Sequence, residues 1–453
     1  MPCRIWAIWV NCEGMQPSHT LRRLGAALWV TGLALMLTGG DVAADAPADL
    51  ARRAGLHVFE GRHLTLVTDR PLRADDGLQE LPQVFDQAFA TWCRHYGLDP
   101  EQHASWRAFG CLMVDRERFR AAGLLPVDGM VPDFENGFCA AERFWLMDQS
   151  NPDYRRHLLL HEGVHAFTLT LRAADAPPWY TEGIAEYLAT HRLERDGDSA
   201  SRFVSMPMPR RRADVEQLGR IERLRQLSDA GQAPRLGDVF ETAPQAHRAL
   251  GAYAASWAAV TFLAGHPAYR TAFVATERQP LDRDFTARLR ATAGWNEDAA
   301  SRDFAAFVAD IDYGYDFARM AIDWSAGQPL AAAKQVTIAA DRGWQNTGSS
   351  LAQGQACSFA ASGRALVGQA PAGRLESSPD GITLHWYRGR PVGRLLVAQW
   401  VEPEDGGRPA FKVLAEGVSG TITAATSGPL YLKINESPGE LAGNGGAFSV
   451  LLK

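Results

Sequence analysis

The pentapeptide His161-Glu162-Gly163-Val164-His165 constrains this chain more than any other stretch. On a helix its two histidines fall at i and i+4, on one face and close enough to share a metal ion. The neighbours make that helix a buried one, with Leu158-Leu159-Leu160 before the pentapeptide and Ala166-Phe167 after it. A buried helix carries two imidazoles and a carboxylate only where something satisfies them, because unpaired buried charge is costly. The fold must therefore bring a partner to this face.

Zinc in hydrolytic sites takes three protein ligands and keeps a fourth position open, and a carboxylate is a usual third ligand. Glu182, in Trp179-Tyr180-Thr181-Glu182-Gly183-Ile184-Ala185-Glu186-Tyr187, can supply it. Between the two stretches lies Ala174-Asp175-Ala176-Pro177-Pro178, which ends the first helix and turns the chain back. A second helix starting near Tyr180 then faces the first. Glu186 follows Glu182 by one turn on the same face, placed to accept the free N–H of a ligand histidine and fix its tautomer. The competing reading of Glu186 is a solvated helix residue.

H-E-x-x-H followed by Trp-x-x-Glu-Gly-x-Ala-Glu-Tyr resembles the gluzincin metallopeptidases, most closely the peptidase-MA-like domains of exported bacterial proteins, over residues 55–325. The resemblance implies a Zn2+ ion held by His161, His165 and Glu182, with Glu162 as general base and Glu186 as orienting carboxylate. Zinc brings the pKa of its bound water to about 7 and polarises a carbonyl, and Glu162 would carry the proton to the leaving amine. The implied substrate is a peptide or protein, with cleavage internal or terminal left open. Tyr253, in Gly251-Ala252-Tyr253-Ala254-Ala255-Ser256-Trp257, resembles the gluzincin transition-state tyrosine, with Tyr180 as second choice; a core aromatic is the alternative for Tyr253. Phe134-Glu135-Asn136-Gly137 lies where gluzincin aminopeptidases keep a Glu-Asn that captures the substrate amine. Glu135 is thus a substrate-binding candidate, although the preceding glycine and methionine of that motif are out of register; a surface loop is the alternative.

Residues 1–46 read as a signal peptide, with an apolar run from Leu24 to Leu37 behind Arg22-Arg23, small residues at 42–46, and a start at Met15 that would give the usual length. An uncleaved signal is the only membrane anchor expected. The chain is then exported, periplasmic or secreted. Of its six cysteines, Cys3 and Cys12 precede the cleavage point. Cys93, Cys111, Cys139 and Cys357 remain, either with a Cys111–Cys139 pair or as free thiols. A formal net charge of −6 points to neither a nucleic-acid nor an anionic-membrane partner.

The expected fold class is α+β in the peptidase-like domain, residues 47–325: strands at 63–68, 109–114 and 144–147, a helix over 78–96, and helical sequence over 191–324 with its strongest amphipathic helix at 253–266 and 304–321 closing the domain. Such a sheet commonly forms one wall of a gluzincin cleft, its edge pairing with extended substrate. The arginines of Met206-Pro207-Met208-Pro209-Arg210-Arg211-Arg212 read as an exposed loop. Residues 326–333 read as a linker, and 334–453 as an all-β sandwich of short strands.

In that sandwich Trp344-Gln345-Asn346-Thr347-Gly348, Gly428 to Glu436 and Asn444-Gly445-Gly446, with other turns, resemble the calcium-dependent galactophilic lectins of bacteria. The resemblance implies Ca2+ and a cell-surface glycan as partners. Where those lectins place Asn-Asp the chain has Asn435-Glu436, and where they have two adjacent amides it has Gly443-Asn444. Glu436 and Asn444 are the remaining calcium candidates, a thin set for an ion that takes six to eight oxygens. Two functions follow: an exported zinc peptidase, or a non-enzymatic envelope or glycan-binding protein with a peptidase-like scaffold.

Overall fold

The computed structural model describes residues 46–73, 76–126, 134–195, 201–215, 218–243, 250–370, 373–402 and 409–453. The expected signal segment lies outside the described residues, apart from its last residue. Among the described residues no helix is long and apolar enough to cross a membrane.

The chain is mixed α and β, with a small sheet and a helical part followed by a β-rich C-terminal region. The N-terminal sheet comprises β1 (His57–Glu60), β2 (Leu64–Thr68), β3 (Ala108–Met113), β4 (Gly137–Ala140) and β5 (Arg143–Met147) in the order β1-β2-β3-β5-β4. The three inner strands run parallel and the outer pairs antiparallel. The inner three match the sequence expectation. The edge strand β1 escapes it, being too short for an alternating pattern to register.

Five helices matter for the site. Helix α1 (Leu81–Tyr96) follows a 3-10 turn at Leu78–Glu80 and ends at left-handed Gly97. Helix α2 (Pro152–Leu171) carries His161, Glu162 and His165. Its start is fixed by Asn151, whose side chain accepts from Tyr154 N–H, and by Pro152 in the first turn. Every residue from Arg155 to Thr168 is buried, so α2 is enclosed on all faces. Helix α3 (Pro178–Ala189) carries Glu182 and Glu186, α4 (Arg220–Asp229) lies farther along, and α5 (Leu250–Gly265) carries Tyr253.

The motif glycines permit this packing. A Cβ on Gly163 would stand 2.4 Å from the Phe85 ring of α1, and one on Gly183 would stand 2.5 Å from the Ser256 carbonyl oxygen of α5. Helix α2 is thus pressed against α1, and α3 against α5, closer than any side chain allows.

Two expectations for residues 191–324 need correction. A hairpin of β6 (His191–Glu194) and β7 (Arg202–Ser205) follows α3, held partly by the cross-strand pair Glu194–Arg202. The helix expected over 304–321 is instead a helix at Glu297–Asp310 and a short one at Phe317–Met320, separated by a turn with Gly314 at φ 71°. Arg211 and Arg212 of the exposed loop pair with Asp214 and Glu222, so the protein itself answers these charges.

The C-terminal region holds β8 (Gln328–Pro329), β9 (Lys334–Ala339), β10 (Gln345–Leu351), β11 (Ala356–Ala370), β12 (Gly373–Ser377), β13 (Asp380–Tyr387), β14 (Arg390–Val401), β15 (Ala410–Glu416), β16 (Ser419–Thr423), β17 (Gly428–Ile434) and β18 (Gly445–Leu452). One sheet runs β13-β14-β17-β10-β8 with β15 on β14, and the other β12-β11-β18-β9 with β16 on β11. Leu395, Val397, Leu432 and Ile434 of the first sheet meet Ile338, Phe359, Phe448 and Val450 of the second in one apolar core. Strand β8 falls inside the expected linker. Strands β10, β11 and β12 were not expected, because Gly, Ser and Ala outnumber β-branched residues in them.

The four described cysteines are free. Strand β5 separates Cys111 on β3 from Cys139 on β4, so the expected pair does not form.

The two parts meet over an aromatic cluster in which Trp324 stacks at 5.9 Å on Phe411, which stacks at 4.5 Å on Trp344. Arg388 donates to Asp310 at 2.8 Å and to the Ala309 carbonyl at 2.9 Å, and Asp316 N–H donates to Pro438 O.

Candidate metal centre

The fold brings together the trio expected from sequence. Nε2 of His161 and Nε2 of His165 lie 3.1 Å apart, and Oε2 of Glu182 lies 3.3 Å from the first and 3.5 Å from the second. A tetrahedral ion with donors at ~2.0–2.1 Å holds those donors about 3.3–3.4 Å apart, so three atoms at this spacing fit zinc without rearrangement. Two imidazole nitrogens and one carboxylate oxygen are also the donor set zinc takes in hydrolytic sites. The ligands are deeply set, with the two histidines buried and the Glu182 side chain only 12% exposed.

The charges are balanced inside the site. Burial opposes a charged His161, but its contact with Glu182 and the charges of Glu186 and Glu182 outweigh it and raise its pKa to about 10. Glu182 moves the other way: burial opposes its ionisation, and the charge and hydrogen bonds of His165 and His161 overcome that.

Glu162 sits one residue beyond the first ligand and is buried. Burial raises its carboxyl pKa, against the opposing charges of His165 and His161. Its side chain presses on edge strand β4, where a Cβ on Gly137 would stand 2.3 Å from Glu162 Oε1. Only the fold reveals that the bare backbone of Gly137 makes room for this carboxylate.

Glu186 is an anchored residue, not a solvated one. Its Oε1 lies 3.2 Å from His161 Nδ1, within ion-pair range but off a hydrogen-bond line, and its Oε2 lies 3.2 Å from His157 Nε2. Arg220 of α4 closes on both oxygens, at 2.7 Å from Nη2 to Oε1 and 2.9 Å from Nε to Oε2. Burial opposes the Glu186 charge, and Arg220 and His157 outweigh burial and hold its pKa well below the usual carboxylate range. His157 and Arg220 were missed in the sequence. His157 precedes His161 by one turn, a signal the motif overshadowed, whereas Arg220 comes from a separate helix and leaves no local trace.

Tyr253 is brought to the site, its ring edge-on to His161 with centroids 6.1 Å apart. The charge of Glu182 and then burial push its hydroxyl far above the ordinary tyrosine range, so it stays a donor. The guanidinium of Arg220 lies 5.8 Å over the same ring.

Tyr180 is not at the site. Its hydroxyl donates to Glu277 Oε1 at 3.0 Å and lies 3.1 Å from Tyr96 OH, deep in the helical core. Two residues before Glu182, it faces away from the ligands, since i and i+2 do not share a helix face. Glu135 is exposed just before β4, two residues from Gly137.

Glu436 is buried, accepts from Ser437 N–H at 2.8 Å, and has its carboxyl pushed up to about 7 by burial. Asn444 donates to the Ala340 carbonyl at 3.2 Å. Neither His-rich ligand group found among the described residues includes Glu436. A cavity of about 670 Å³ opens at the N-terminal end of α2, lined by His157 but by none of the three ligands. Its arginines are answered, Arg155 by Asp148, Arg192 by Glu194 and Arg195 by Glu80.

No protein-family model and no curated protein matches the chain. Among solved structures it is similar to an EclA N-terminal domain described as a PllA-like lectin, at 21% identity over 26% of this chain and 92% of that one, with a TM-score of 0.19. A likeness at that score carries no argument here.

Proposed function

We propose that this protein is an exported zinc-dependent peptidase of the gluzincin type. The observation that carries the reading is the trio His161 Nε2, His165 Nε2 and Glu182 Oε2, mutually 3.1–3.5 Å apart, with the buried Glu162 carboxyl beside it. A bound zinc ion would supply an acidified water and a Lewis acid for a carbonyl oxygen.

The remaining work falls to this chain's own groups. Glu186 faces Nδ1 of His161 and leaves Nε2 turned toward the ion. Glu162, with its pKa raised by burial, takes a proton readily and can pass it to a leaving amine. Tyr253 keeps its hydroxyl hydrogen and, with its ring against His161, is the donor assigned to a developing oxyanion. Edge strand β4 pairs only with β5 among the described residues, which leaves its other side for an extended peptide to join beside Glu162.

Elemental analysis of the mature protein beside Glu182→Ala and Glu162→Gln, with a quenched-peptide library on the same samples, tests this. Wild type is expected to hold about one zinc. Glu182→Ala is expected to lose it, and Glu162→Gln to keep zinc but lose at least ~100-fold in cleavage. A wild type that takes up no zinc, or zinc-loaded protein that cleaves nothing in the library, sinks the proposal in favour of a binding protein.

A further inference from the structure

His161 belongs to two overlapping donor sets: Nε2 with His165 and Glu182, and Nδ1 with His157 and Glu186. By residue type both suit zinc, and the second is the more buried. What distinguishes them is Arg220. Its guanidinium spans both oxygens of Glu186, so the second set already holds a cation, and the acceptor capacity left on that carboxylate faces His157 and His161. The first set has no arginine or lysine on Glu182 among the described ion pairs.

We propose that Arg220 is a positioning residue that closes the second donor set, so that a single ion is held on Nε2 of His161 while Glu186 orients that imidazole. The inference rests on the metal reading above. Arg220 is well suited to this, being only 16% exposed, set at the first position of α4 after left-handed Gly219, and lying over the Tyr253 ring. It ties ligand orientation, Tyr253 and the start of α4 into one unit. A lysine would keep the charge but not the two-point grip.

The test uses the full chain as wild type, Arg220→Gln, Arg220→Lys, Glu186→Gln and the Arg220→Gln/Glu186→Gln double variant. Folding is checked by circular dichroism. Zinc affinity is read by competition with a chromophoric chelator, and coordination by the visible spectrum of the Co2+-loaded protein. Arg220→Gln is expected to bind zinc about 10–100-fold more weakly and to change the Co2+ spectrum, with Arg220→Lys intermediate. The double variant should bind no more weakly than Glu186→Gln, because Arg220 acts through that carboxylate. Wild-type affinity and spectrum in Arg220→Gln, or losses that simply add in the double variant, would overturn the proposal. Should Arg220→Gln not fold, wild-type affinity in Arg220→Lys would do so. A wild type that binds zinc, with Arg220→Gln and Arg220→Lys matching it, leaves the peptidase reading standing and removes only this one.

Discussion

At Gly137 a missing side chain sets the position of Glu162, the proposed general base. A methyl group there would stand 2.3 Å from Glu162 Oε1, far inside contact distance, so either β4 or the carboxylate must move. The three ligand atoms lie on other residues and are untouched. Gly137→Ala is therefore expected to keep its zinc while losing about 10–100-fold in peptide turnover, since an error of about 1 Å in a catalytic group costs that much. Metal content and turnover on one sample check this, and full activity in the variant would mean that β4 yields without cost. The same residue marks a limit of sequence reading. His161, His165, Glu162 and Glu182 are legible because helical spacing alone sets their common face. Gly137, Arg220 and the true surroundings of Tyr180 are not, because each depends on which elements pack together.

Among the elements, the loop after β17 is the clearest case of sequence likeness diverging from local physics. The β17 turn resembles a calcium-binding lectin loop, yet Asn435 donates its amide to the carbonyls of Tyr387, Arg390 and Pro391 at 3.0–3.1 Å, and Glu436 is buried next to it. Burial holds the Glu436 carboxyl at about 7, above the ordinary 4.5. A raised carboxyl pKa means the protonated form favours the fold: its contribution is complete below pH 4.5 and is lost as the pH rises through 7. Glu436→Gln mimics the protonated form and should leave stability unchanged at pH 4.5 while adding on the order of 2–3 kcal/mol at pH 8. Denaturant midpoints at the two pH values decide it, and equal gains at both would remove the ionisation argument. Strand β11 shows the converse limit: it pairs with three neighbours, but its Ala, Ser and Gly content hides it until tertiary pairing reveals it.

For the whole molecule, the question is whether the helical and β-rich parts melt together. Arg388 binds Asp310 and the Ala309 carbonyl, Arg319 binds Asp341, and the cluster around Phe411 adds apolar contact. Wild type is expected to give one merged calorimetric transition, and Arg388→Ala to separate it into two, because Asp310 then keeps only Lys433, at 3.8 Å, of its two cationic partners. A single unshifted transition in the variant would assign the coupling to the contacts that remain, the aromatic cluster and the Arg319–Asp341 pair among them. The enclosure of α2 reaches further than stability. With α1 against Gly163 and every residue from Arg155 to Thr168 buried, the backbone under His161 and His165 has no local opening by which to move. Its amide hydrogens belong with the slowest to exchange, released on the timescale of global unfolding.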